Sequence, residues 1–267
     1  MAETASLPHG SPDMGKKSGF QPYRKGGDGS PFPEVRKGME KGGKMAHYHR
    51  QERGWDEFGF NWPYAEGLRR LREEVLSRED FDPAVLWIWG TMQARAVVRI
   101  LEECEASLGE QGQAAVARAL VDVGREIGRQ IAEGVEVPEG LSEAELASFC
   151  ATVINCIVYA SLERPSIDAE DRVSFEILWC PHQDVYTAFD CRVQRYLVQG
   201  MLEALEERGL LGDWQVRFTS TIPAGALTCR FELYRAPKEG GSDWEEYTRA
   251  LERKALEIAS KKGKRGE

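Results

Sequence analysis

Three cysteines, a histidine and two carboxylates in the C-terminal half of the chain are the groups from which metal sites and thiol or acid–base sites are made. Cys180, His182 and Asp184 lie in the run Cys180-Pro181-His182-Gln183-Asp184. Asp190 and Cys191 follow, and Cys229 stands in Thr228-Cys229-Arg230-Phe231. Two chemistries are open to them. In one, Cys180, Cys191 and Cys229, with His182 or a carboxylate, bind zinc or another soft metal ion. In the other, a thiolate or carboxylate works with His182 as nucleophile and general base on a small polar substrate. A third reading needs no chemistry, because cysteine is among the residue types most often buried and His182 then only satisfies its loop.

For these groups to meet, chain elements must bring them to one place. The alternation of Val173, Phe175, Ile177 and Trp179 predicts a strand that runs into Cys180. Asp184 is placed to cap a long helix that continues to Gly209, with Asp190 and Cys191 in its second turn. A helix N-terminus favours anions and lowers the pKa of a thiol placed there. Residues 213–221 and 227–234 read as a hairpin around Pro223-Ala224-Gly225, with Cys229 in its second strand. Upstream, Asp82-Pro83 opens a helix to about Leu108, and a second helix spans about 113–133. Ser142 and Glu145 form a capping box before an almost continuously apolar helix that reaches Leu162 and is broken by Arg164-Pro165. Asn155 on that helix needs a polar partner. Trp87 and Trp89, two residues apart, cannot share a helix face. Ser242 and Glu245 start a last helix. The fold class is α+β: a helical layer packed on a small antiparallel sheet, with a long helix between the first strand and a C-terminal hairpin.

Composition limits the function classes. The net charge of -9 over 267 residues speaks against a nucleic-acid-binding body. Residues 1–54 form a Gly- and Pro-rich basic arm, residues 55–236 the main domain, and residues 237–267 a linker, a helix and a basic tail. The arm has too few large apolar groups to offset its own ordering entropy. The plain reading of the segment is a solvated tail; as an arm that folds onto a protein partner or a second copy of the chain, it would use Phe20, Tyr23, Phe32 and Val35 as anchors. The aromatic residues from Trp55 to Tyr64 read as a cap on the first helix. Six cysteines without a Cys-x-x-Cys pair suit a reducing cytoplasm. The N-terminus shows no secretory signal pattern, and no segment is apolar for long enough to predict a membrane span.

Cys180-Pro181, Cys191 on a helix and Gly225-x-x-x-Cys229-Arg230-Phe231 follow one another in an order that resembles the L-2-amino-thiazoline-4-carboxylic acid hydrolase-like family. More distantly, the layout is similar to 4-vinyl reductase-type ligand-binding domains. The resemblance covers about sixty residues. It departs at Gln194 and Ala226, where the family carries carboxylates. It implies an enzyme that opens a cyclic amidine or related C–N bond of a small polar substrate. Cys180 or Cys191 would be nucleophile or ligand, His182 the general base, and Asp184 or Asp190 the orienting carboxylate. The alternative is a non-catalytic accessory subunit, or a ligand- or metal-binding module, that uses its N-terminal arm and C-terminal helix to assemble with a partner enzyme.

Overall fold

The computed structural model describes residues 64–134, 137, 139–236 and 241–263. The arm of residues 1–54 and the aromatic residues from Trp55 to Trp62 lie outside the described residues. In chain order come α1 (Tyr64–Arg70, continued by a π-helical turn, Leu71–Leu76), α2 (Val85–Leu108), α3 (Glu110–Gly134) and α4 (Glu143–Thr152). A π-helical stretch, Val153–Val158, extends α4, and the strands β1 (Leu162–Ala169) and β2 (Arg172–Trp179) follow. Then come α5 (Cys191–Glu207), β3 (Trp214–Ser220), β4 (Cys229–Arg235) and α6 (Asp243–Gly263).

The four strands form one antiparallel sheet in the order β1-β2-β4-β3. Strand periodicity divides it into two chemically different faces. On the inner face Phe175, Phe231 and Phe218 stand in one cross-strand row, with neighbouring ring centroids 4.9 and 5.1 Å apart. Val173, Ile177, Val216 and Leu233 complete that face, and Phe149, Val153, Met201 and Leu205 from the helices pack with it. The outer face carries an ionic ladder in which Glu176 pairs with Arg164 and Arg230, and Glu232 with Arg217.

The α+β architecture is as the sequence predicts, with one strand more. Residues read as a broken helix end form β1, and the helix ahead of it ends with the π-helical stretch Val153–Val158. Pro165 is tolerated because β1 is an edge strand that pairs with β2 alone, so its missing N–H leaves no ladder partner unmet. The long helix therefore connects the second strand, not the first, to the hairpin. It also begins at Cys191 instead of Asp184, because residues 181–190 form turns.

Helix α5 is held against α3 at backbone distance. A Cβ on Gly200 would stand 2.0 Å from the Val121 carbonyl oxygen, and one on Gly124 would stand 2.0 Å from that of Leu197. The capping box predicted at Ser142 and Glu145 is present at the start of α4. Arg192 of α5 and Glu105 of α2, each 2% exposed, form a buried ion pair at 2.6 Å. Arg195 donates to the Thr248 hydroxyl and the Trp244 carbonyl and lies 3.9 Å from the centroid of the Trp244 ring. These contacts fix the start of α5, and with it Cys191.

Candidate functional site

The loop between β2 and α5 is closed by its own backbone. Gln183 N–H donates to the Cys180 carbonyl at 3.1 Å, and Tyr186 N–H to the His182 carbonyl at 2.9 Å. The Gln183 side-chain oxygen accepts from Cys180 N–H at 3.1 Å. From α2 the Trp87 indole N–H donates to the Pro181 carbonyl at 2.9 Å. The turn is stable here because these backbone groups find partners nearby.

Cys180 directly follows β2, Cys229 opens β4 opposite Ile177, and Cys191 is the first residue of α5. The charges of all three thiols are felt by one another, so the topology brings them to one region. Their ionisation runs against the sequence expectation. Burial pushes the Cys191 thiol up to about 12, and burial raises Cys180 and Cys229 as well. Backbone N–H groups of His182 and Gln183 offset part of the rise at Cys180. Ile222 N–H, 3.2 Å from Sγ, does the same for Cys229. Desolvation prevails at each, at Cys191 even against the pull of the Arg195 guanidinium, because a thiolate shut off from water is costly.

His182 is stacked on Tyr186 with ring centroids 4.7 Å apart and planes 15° from parallel. Burial holds its imidazole below the ordinary range, so it is neutral at pH 7. Nδ1 of His182 is buried and has no hydrogen-bond partner among the described residues. At the hydroxyl of Tyr186, the Gln194 amide donates to the phenol oxygen at 3.3 Å, and its own Oε1 is likewise buried and unpartnered among the described residues. Tyr159 lies at the same place: its hydroxyl reaches the Gln194 carbonyl at 3.5 Å, and it feels Tyr186 and Cys180.

The two expected carboxylates lie near this cluster: Asp184 helps to raise Cys180, and Asp190 helps to raise Cys191 and Tyr186. Asp184 is exposed. Asp190 is buried, and its Oδ2 accepts from Thr187 N–H at 2.7 Å, which ties it to the backbone of its own loop. It precedes α5 without making a side-chain cap bond. Among the described residues no group of three His, Cys, Asp or Glu side chains is placed to hold a metal ion. The three thiols are thus neighbours without the arrangement of a ligand sphere among the described residues.

A carboxyl that the sequence reading passed over is Glu163 of β1. It is buried, and its Oε2 accepts from the Asn155 side-chain amide at 2.7 Å. Glu163, Ile177 and Cys229 stand side by side across β1, β2 and β4, so Glu163 shares the inner face with Cys229. Burial raises its carboxyl, and the Asn155 hydrogen bond, with the Thr152 and Cys156 side chains nearby, offsets part of that. The signal that leads to it is Asn155, whose isolated amide on an apolar helix calls for a partner. Tyr186 and Gln194 carry no motif. In the sequence they are only the helical neighbours expected of Asp190 and Cys191.

No family model matches the chain. Over 218 residues it is 55% identical to an uncharacterized protein of Archaeoglobus fulgidus, an alignment that takes in 80% of this chain and 96% of that protein. The chain belongs to the same family as this archaeal protein.

Proposed function

We propose that the protein is a ligand-binding module that seats a small, polar, uncharged molecule against His182, Tyr186 and Gln194. The observation that carries this reading is the pair of buried, unpartnered atoms, His182 Nδ1 and Gln194 Oε1, on the two side chains that contact Tyr186. Each unmet buried polar group costs about 1–3 kcal/mol, and a ligand that donates to Gln194 Oε1 and bonds His182 Nδ1 recovers that cost. The uncharged character follows from the surroundings. The thiols are protonated, the imidazole is neutral, Asp190 is committed to backbone and Asp184 faces solvent. The two buried cations of α5 are engaged, Arg195 by Thr248 and Trp244 and Arg192 by Glu105.

A second reading keeps the hydrolase. A neutral imidazole with a free nitrogen is also what a general base needs, and it could take a proton from water attacking a cyclic amidine held at the same place. In that case water, not a thiolate, is the nucleophile.

Native mass spectrometry of the protein purified gently from its own host tests both, and the same spectrum shows any partner polypeptide. A small-molecule adduct is expected. His182→Ala and Gln194→Leu should each lose it while keeping the far-UV circular dichroism. Release of the adduct unchanged supports binding, and release of a product heavier by one water supports hydrolysis. A spectrum without an adduct, or an adduct that survives both substitutions, refutes the assignment.

A further inference from the structure

Helix α2 is apolar on two sides. Its inner side contributes Val98 and Leu101 to the core and Glu105 to the buried ion pair. Its outer side carries a second stripe: Val85, Ile88, Trp89 and Met92 recur at the i, i+3, i+4, i+7 spacing of one helix face, and Ala96 and Ile100 extend it. Ile88 is 64% exposed, Trp89 62%, Met92 56% and Ile100 57%. From Val85 to Ile100 the stripe runs for about 22 Å at the helical rise of about 1.5 Å per residue. Scattered exposed apolar residues are ordinary on a protein surface, but a continuous helical seam marks a contact.

We propose that a second copy of this chain covers the stripe, with the two α2 helices packed antiparallel around a two-fold axis near residue 94. The charges along the seam decide the direction. A parallel pair would set Arg99 against Arg99 and Glu103 against Glu103. The antiparallel pair sets Arg99, which is ion-paired with Glu102 on its own helix at 2.6 Å, over the indole of Trp89, a cation–π contact. It also places Glu103 beside the first turn at Val85, where a helix N-terminus favours an acid. Sizes match as well: Ile88 meets Ile100, and Met92 meets Ala96, long against short. Because the interface is its own complement, each contact occurs twice. Trp87 points to the other side of α2, where it is bonded to Pro181, so the dimer seam lies on a helix whose inner side touches the site loop.

Sedimentation velocity on the full chain at micromolar concentration tests this. The wild type should sediment at twice the chain mass. Ile88→Glu and Met92→Glu should each weaken association at least tenfold and give the monomer, with unchanged far-UV circular dichroism because both side chains face solvent. The register has its own readout. An Ile88→Cys, Ile100→Cys double variant should give a covalent dimer on mild oxidation, whereas each single variant should not. A monomeric wild type overturns the proposal and means that something other than a second copy covers the stripe. A dimer untouched by both glutamates overturns it too, and so does cross-linking of a single cysteine variant as fast as the double.

Discussion

Cys191 provides the sharpest test of whether this site works by thiolate chemistry. Its thiol is pushed to about 12 by burial, against an ordinary 9.0. Three units of pKa lower the thiolate fraction about a thousandfold at any pH below 9, or about 4 kcal/mol at about 1.4 kcal/mol per unit. The assay is alkylation by iodoacetamide, followed at Cys191 by peptide mass mapping, on native and urea-unfolded protein across pH 7–11. Native Cys191 should react about a thousandfold more slowly than unfolded Cys191 at pH 8, and more slowly still if the reagent is sterically excluded. The shape of the pH profile is independent of access. The native rate should keep rising about tenfold per pH unit beyond the point, near pH 9, where the unfolded rate levels off. Unfolding should respond to the same shift. A raised thiol adds stability that is complete below about pH 9 and is lost as pH rises toward 12. Cys150, which burial also takes to about 12, contributes in the same direction. A native rate that saturates near pH 7 would show an activated nucleophile and sink the argument for a neutral site.

Gly200→Ala should destabilise the protein by about 3 kcal/mol, the upper end for overpacking, because the new Cβ meets backbone at 2.0 Å and 2.5 Å and backbone cannot turn aside. A urea midpoint within error of wild type would refute the close α3–α5 crossing. Glu163→Gln should be at least as stable as wild type at pH 7. Burial raises this carboxyl, so its proton adds stability that is complete below the ordinary carboxylate range and lost as pH rises through the raised one. Wild type should therefore gain on the variant as pH falls toward 4.5, and a gap that widens in its favour toward pH 8 would refute the assignment. Arg192→Met and Glu105→Leu should each cost about 3–5 kcal/mol, since either leaves a buried charge alone. The double variant should cost much less than their sum, and an additive double-mutant cycle would show that the pair is not coupled.

The elements that were legible in the sequence are those in which a local pattern and its burial agree. Val173, Phe175 and Ile177 alternate and are buried, so β2 could be read directly. Ser142 and Glu145 mark the start of α4 because their bonds are local. β1 was hidden because it is an edge strand whose outer face is charged and whose one deeply buried side chain at its start is Glu163, held by an amide from another element. Proline and glutamate read as the end of a helix when the partner that rescues them lies elsewhere. The candidate site divides in the same way. Residue types and order marked Cys180, His182, Cys191 and Cys229. The polar partners of the ring on which His182 stacks, Gln194 above all, come from the register of α5, which begins seven residues later than Asp184 suggested.

That shift also explains why proximity to a helix N-terminus does not make Cys191 reactive. The helix field at an N-terminus is worth about 0.3–1 kcal/mol at exposed positions and up to about 2 kcal/mol in partly buried ones. The rise at Cys191 corresponds to about 4 kcal/mol at about 1.4 kcal/mol per unit, so desolvation wins by at least twofold. Desolvation at this place comes from the topology itself: β2 and β4 deliver Cys180 and Cys229 to the start of α5, and Tyr159 and Tyr186 lie close to Cys180. Lowering the Cys191 pKa would require a cation within reach of its sulfur, and the guanidinium of Arg195, the one charge that lowers it, is already held by Thr248 and by the Trp244 ring and carbonyl. Trp244→Leu should therefore loosen Arg195 toward Cys191 and lower its alkylation midpoint. If the midpoint stays near 12 after that change, burial alone sets the thiol and Arg195 has no part in it.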